Sequence, residues 1–220
     1  MKKYLLFDLD GTITDSAEGI IRSVAYALEH MGVREEDMAK LTKFVGPPLR
    51  DSFMEYYGFS EEQAEKAVWL YRQYYAEKGI FENKVYGGVA HLLSACRQAG
   101  RQVILATSKP QKYAEQILDY FKLRQYFTDV QGSSMDKSKV SKTDVIRCAL
   151  LENHITDLDE AVMIGDRKHD VEGARACGLE CVGVLFGYGG REELEQYGAA
   201  WIVETAEELE KFLLDYDGEE

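Results

Sequence analysis

The residues best suited to chemistry stand at four places where the chain leaves a short apolar run or enters a helical pattern. Asp8 and Asp10, with Gly11 and Thr12, follow Tyr4-Leu5-Leu6-Phe7. Thr107 and Ser108 follow Val103-Ile104-Leu105-Ala106, Asp166 and Asp170 follow Val162-Met163-Ile164-Gly165, and Lys142 stands behind Ser141. Carboxylates, hydroxyls and an ammonium are the types that carry acid–base or nucleophilic steps and hold hard cations. Each segment alone has a plainer reading. Asp-x-Asp-Gly also occurs in turns and calcium loops, although a calcium loop with Gly11 at its sixth position would need ligands at Leu6 and Ala17. Thr107-Ser108 before Pro110 suits a helix cap, Lys142 competes with Lys137 and Lys139 as a solvated lysine, and Asp166 with Asp170 suits a turn and helix start. What points to a site is the conjunction.

That conjunction depends on the elements that carry these residues. Residues 3–8 read as a buried parallel strand, and Ile20, Ile21, Val24, Ala27, Leu28 and Met31 as a helix face ending at Gly32. To about residue 83 the pattern is helical without a convincing strand, Pro47-Pro48 punctuates it, and Ser60 with Gln63 forms a capping box. Helix and strand alternate from Gly87-Gly88 onward: helix 88–99, strand 102–107, a helix after Pro110, a helix capped by Ser141, strand 161–165, helix 170–177, strand 180–185, strand 201–203, and a last helix capped by Thr205 with Glu208. Such alternation implies right-handed crossovers and a parallel sheet, an α/β core of residues 1–14 plus 84–220 interrupted by a helical insertion at 15–83. In such a sheet ligands bind beyond the carboxyl ends of the strands, where all four segments deliver their polar residues.

Phe7-Asp-Leu-Asp-Gly-Thr12, Ala106-Thr-Ser-Lys-Pro110, Ser141-Lys-Thr143 and Ile164-Gly-Asp-Arg-Lys-His-Asp170, in this order and spacing, resemble the haloacid dehalogenase (HAD) superfamily. Within it, they are similar to the phosphatases like phosphoglycolate phosphatase. The resemblance implies a Rossmann-like parallel-sheet core with an inserted all-helical cap that closes over the substrate, and hydrolysis of small phosphomonoesters. It implies Asp8 as nucleophile, Asp10 as acid and base, and Lys142 as the cation beside a phosphorylated Asp8. It further implies Mg²⁺ held by Asp8, the Asp10 carbonyl and Asp166, with Asp170 ligating directly or through waters, and phosphoryl oxygens held by Thr107 and Ser108. The second Asp argues against a dehalogenase. Lys142 precedes Thr143 where the family usually has Pro, so Lys139 stays a competitor for the motif lysine. In the cap, Gly46-Pro-Pro-Leu-Arg50 resembles the substrate-facing stretch, with Arg50, and less so Lys43, set to meet a second anionic group or to form a surface ion pair. Alternatives within the same fold are a phosphomutase similar to β-phosphoglucomutase, a 5'-nucleotidase and a pyrophosphatase; a phosphoacceptor receiver domain lacks the Asp-x-Asp order and the helical insertion.

Charge narrows the partners. Lys and Arg number 26 against 39 Asp and Glu, a formal charge of −13 over 220 residues. Residues 204–220 alone contribute −7. Nucleic-acid polymers and acidic membranes need the opposite field, whereas a small phosphorylated metabolite needs only local cations. Cys96, Cys148, Cys177 and Cys181 form no Cys-x-x-Cys pair and read as buried or idle thiols. The amino-terminal apolar run is too short for a signal peptide or a membrane span, which makes cytoplasmic residence, as monomer or homodimer, the expectation. His30, His91 and His154 read as helix-face or loop residues without partners, and His169 carries no role. The Gly187-Tyr-Gly-Gly190 loop is expected to border the site, and it does not match a dinucleotide fingerprint.

Overall fold

A computed structural model describes residues 2–134 and 141–215. The chain divides into two compact units, residues 1–14 with 85–220 and residues 15–84. In the first, β1 (Tyr4–Phe7), β4 (Gln102–Pro110), β5 (Asp129–Ser133), β6 (Ala161–Gly165), β7 (Glu180–Val184) and β8 (Trp201–Val203) form one sheet in the order β5-β4-β1-β6-β7-β8. Every pairing is parallel. The α/β expectation therefore holds. Helices α4 (Val89–Gln98), α5 (Gln111–Tyr120), α6 (Lys142–Glu152), α7 (Lys168–Ala176) and α8 (Arg191–Tyr197) lead from strand to strand, and α9 (Ala206–Asp215) follows β8.

The position of β1 follows from its composition. Leu5, Leu6 and Phe7 are completely buried, as an unbroken apolar run must be when helices cover both faces of a sheet. From β1 the chain builds outward through β4 and β5 on one side, then crosses back to lay β6, β7 and β8 on the other. Strand order thus reverses at β1, and the crevice of an open α/β sheet lies at such a reversal. Register completes the placement: Phe7 stands opposite Leu105 of β4 and Ile164 of β6, so the three strands reach the same edge together.

Two element ends and one whole strand depart most from expectation. Helix α7 starts at Lys168, two residues before Asp170, because the first-turn Asp170 side chain accepts from the Arg167 amide at 3.1 Å and closes the turn early. Strand β4 runs on to Pro110, past a register shift between Ala106 and Pro110. Strand β5 has no sequence counterpart above. Its Asp-Val-Gln-Gly-Ser lacks an apolar run, and it is pinned from outside: Gln111 accepts from the Gly132 amide at 2.6 Å and donates to the Val130 carbonyl at 2.7 Å.

The second unit contains α1 (Ala17–His30), a 3-10 turn at Met38–Phe44, α2 (Leu49–Tyr57), α3 (Glu61–Tyr74) and a π-helical turn at Tyr75–Gly79. Ser60 and Gln63 form the expected capping box. Residues Thr14–Asp15 (β2) and Lys84–Val85 (β3) pair as a separate two-stranded ribbon. Gly19 and Gly79 bring α1 and the π turn into backbone contact, since a Cβ on Gly19 would lie 1.9 Å from the Gly79 carbonyl oxygen.

Candidate active site

The end of β1 is shaped by backbone hydrogen bonds. The Asp8 amide donates to the Ile164 carbonyl at 2.9 Å, which carries the ladder one residue past Phe7 and sets the carboxylate at the strand's end. The chain then turns tightly: Ile13 and Thr14 both donate to the Leu9 carbonyl at 2.9 Å, and Gly11 to the Thr14 carbonyl at 2.8 Å. Gly11 has φ +88°, and a Cβ there would lie 2.2 Å from Asp166 Oδ2. Only glycine meets both demands.

Lys142 reaches the same place from the first turn of α6. Ser141 and Asp144 box the helix start, and Gly173 of α7 leaves room for the lysine stem, since a Cβ there would approach Lys142 Cγ to 2.7 Å. The ammonium pairs with Asp8 Oδ1 and Asp170 Oδ1, each at 2.7 Å, and donates to the Ala106 carbonyl at 3.1 Å. Asp166 is fully buried; its Oδ2 accepts from the Tyr188 amide at 2.7 Å, and its Oδ1 lies 3.5 Å from the Thr12 hydroxyl. Ligand oxygens of Asp8, Asp166 and Asp170 lie within 4.8 Å of one another.

Three buried carboxylates meet one ammonium here, and the electrostatics register the imbalance. Burial pushes Asp8 up to about 6, with Lys142 opposing and Asp170 reinforcing the shift. Burial, then Asp170 and Asp8, push Asp166 well above the ordinary carboxylate range, against the Tyr188 amide and Arg167. Burial on its own would lower Lys142; Asp170 and Asp8 outweigh it, and the ammonium is held more firmly protonated than usual. A compact all-oxygen donor set with excess negative charge fits a hard divalent cation such as Mg²⁺. These three residues would hold it. The Asp10 side chain belongs elsewhere.

Asp10 Oδ2 pairs with Lys109 Nζ at 2.7 Å, and both side chains are nearly buried. Lys109 is the site-lining residue that the sequence did not single out, although it stands within the Ala106–Pro110 motif. The available signal was strand periodicity, which puts Lys109 on the same face as Thr107. Thr107 is buried beside the Ala106 carbonyl that Lys142 contacts, and its hydroxyl accepts from the Lys109 amide at 3.2 Å; Ser108 is half-buried next to it.

Arg50 belongs to the helical unit, where it pairs with Glu61 at 2.9 Å and lies 3.7 Å from Glu65. Lys43 stands 4.0 Å from the centre of the Tyr56 ring. Lys139 and Lys137 lie outside the described residues. Two histidines have partners after all: His30 Nδ1 lies 2.8 Å from the Tyr26 carbonyl and His91 3.6 Å from Glu210. Helix geometry supplies the first, since a carbonyl four residues back is within reach, and the docking of α9 supplies the second.

A family model for haloacid dehalogenase-like hydrolases matches residues 5–184. The chain belongs to that family. Among relatives of this hydrolase, a 5'-nucleotidase of Pseudomonas aeruginosa is 42% identical over 193 residues, covering 88% of this chain and 87% of the relative. The tyrosine-protein kinase PtkA of Mycobacterium tuberculosis is 40% identical over 205 residues, 92% of this chain and 68% of that protein. The crystal structure of a predicted phosphatase from Clostridium acetobutylicum superposes with a TM-score of 0.94 at 50% identity, covering 98% of this chain and 99% of the other. Among the described residues, no helix of the hydrolase is long and apolar enough to cross a membrane.

Proposed function

We propose that the protein is a Mg²⁺-dependent phosphatase of small phosphomonoesters that works through a phosphorylated Asp8. The observation that carries this reading is the split between two carboxylates two residues apart. Asp8 stands in the acidic cluster on Lys142, and Asp10 stands on a lysine of its own.

An Asp8 oxygen attacks phosphorus while the bond from phosphorus to the substrate's alcohol oxygen breaks, and Asp10, entering protonated, gives its proton to that oxygen. Asp10 then takes a proton from water as the water oxygen attacks phosphorus; the bond to Asp8 breaks, phosphate leaves, and Asp10 is protonated again. Lys142 offsets charge on Asp8 in both halves, Thr107 and Ser108 hold phosphoryl oxygens, and Lys109 fixes the direction in which Asp10 points. The bound cation supplies charge neutralisation and alignment of the phosphoryl group.

Phosphoglycolate is the substrate class implied by the motif resemblance, and a nucleoside monophosphate is favoured by the name of the 42% identical relative. The PtkA likeness favours a second reading, in which the phosphoryl group leaves Asp8 for a tyrosine hydroxyl instead of water. A phosphate-release screen over small phosphomonoesters with Mg²⁺ tests both, with Asp8→Asn as control. The expected result is free phosphate, a ³²P label retained on the acid-quenched wild type, and neither with the variant. Label recovered on tyrosine would move the assignment to the transferase, and full activity of Asp8→Asn would overturn both.

A further inference from the structure

The loop after β7 and the start of α8 close on Asp166 beside the turn that follows β1. Gly187 and Gly189 both have ordinary negative or extended φ, so what they provide is space. A Cβ on Gly187 would lie 2.3 Å from the Gly11 carbonyl oxygen and 2.4 Å from Asp166 Cβ. One on Gly189 would lie 1.8 Å from the Asp166 carbonyl oxygen. These neighbours are backbone or buried side chain, which cannot swing away as an exposed side-chain end would. Between the two glycines, the Tyr188 amide donates to Asp166 Oδ2 at 2.7 Å. Five residues after Tyr188, one oxygen of Glu193 accepts from the Arg167 side chain and from the Lys168 amide, both at 2.9 Å. Residues 187–193 therefore grip both ends of the 166–168 stretch, once through a backbone amide and once through a carboxylate.

We propose that this segment is a positioning clasp for the cation site, setting where the Asp166 carboxylate stands and thereby how tightly a divalent cation binds, without itself ligating. The proposal rests on reading Asp8, Asp166 and Asp170 as the cation site. A carboxylate ligand that accepts a fixed amide hydrogen bond loses the freedom to rotate, and such outer partners typically govern metal affinity by about ten- to a hundredfold. Together with Gly11, these glycines hem in Asp166, and a methyl group at any of the three must displace it or the loop.

The test is Mn²⁺ binding to the metal-stripped full chain, read from the free-Mn²⁺ signal in electron paramagnetic resonance, with melting in EDTA recorded for every variant. Wild type is expected to bind one Mn²⁺ at this site and Asp166→Asn to lose it; equal binding by these two would overturn the cation-site reading itself. With that reading intact, Gly187→Ala and Gly189→Ala are expected to bind Mn²⁺ at least about tenfold more weakly wherever they remain folded in EDTA, whatever their melting point loses to the added methyl. Mn²⁺ affinity within twofold of wild type in the folded glycine variants overturns the clasp, even if their melting point falls, because a merely structural role predicts that pattern. Should neither glycine variant fold, Glu193→Ala decides: several-fold weaker Mn²⁺ binding supports the clasp and unchanged binding overturns it.

Discussion

Two lysines meet the aspartates at the end of β1, and they meet them on different terms. Lys142 divides one ammonium between Asp8 and Asp170 while Asp166 stands in the same cluster, so that end is left short of positive charge. Lys109 holds Asp10 at 2.7 Å, outside the cluster, so Asp10 is paired directly with a different ammonium. The difference teaches a division of labour that composition alone does not suggest. On the proposed mechanism the charge-deficient end takes the cation and the nucleophile, and the Lys109 end holds the acid–base residue Asp10.

The strongest way to break the comparison is Lys142→Met. Removing one partner from a buried ionic cluster typically costs about 3–5 kcal/mol, because the remaining charges are left unpaired. Melting of the metal-free variant should fall accordingly, and Mg²⁺ should restore more stability to it than to wild type. Equal losses with and without Mg²⁺ would mean the cluster does not share its charge deficit with a cation.

Lys109→Met also breaks a buried pair and should cost stability, but its distinguishing effect is on rate. Misdirecting Asp10 is expected to lower kcat by up to about a hundredfold, with the Mg²⁺ concentration for half-maximal activity unchanged. A shift in that concentration comparable to the Lys142 variant's would erase the distinction between the two ends.

pH sharpens the contrast further. Unfolded carboxylates titrate near about pH 4, whereas burial holds Asp8 at about 6 and Asp166 higher than the ordinary range. Raised carboxylates make the folded metal-free chain bind more protons than the unfolded one, so this contribution to stability is lost as pH rises through 6. A divalent cation needs the ionised forms. The increase in melting temperature caused by Mg²⁺ should therefore be largest above neutrality and shrink as pH falls through about 6. A Mg²⁺ effect constant from pH 5 to 8 would contradict it.

The smallest effect is expected at Arg50→Ala. An exposed ion pair of the Arg50–Glu61 kind contributes under about 1 kcal/mol, so stability should barely move, while KM rises a few-fold if Arg50 meets the substrate's second anion. An unchanged KM would reduce Arg50 to its ion pairs with α3.

Much of the site is legible in the chain because its parts sit where local rules place them. Asp8 and Asp10 follow an apolar run, Asp166 follows another, and Lys142 follows a serine that boxes a helix start. Lys109 is less legible. A lysine before proline reads as the exit of a strand, and what gives it a role is the β1–β4 register, which carries it to a residue 99 positions earlier. Strand β5 fails for a related reason: its edge position and its anchors on Gln111 are tertiary, and nothing in its own five residues demands a strand.

The order of motifs and the interrupted α/β core were legible in residue type and spacing, because apolar period and turn chemistry are local properties, while the family rested on a motif resemblance that the family model bears out. How the negative charges are shared was not legible there. Which lysine serves which aspartate, and the glycines that let Asp166 stand between Gly11 and the 187–189 loop, depend on ångström-scale distances between segments far apart in the chain. Those distances exist only once strand order and register have brought the segments together.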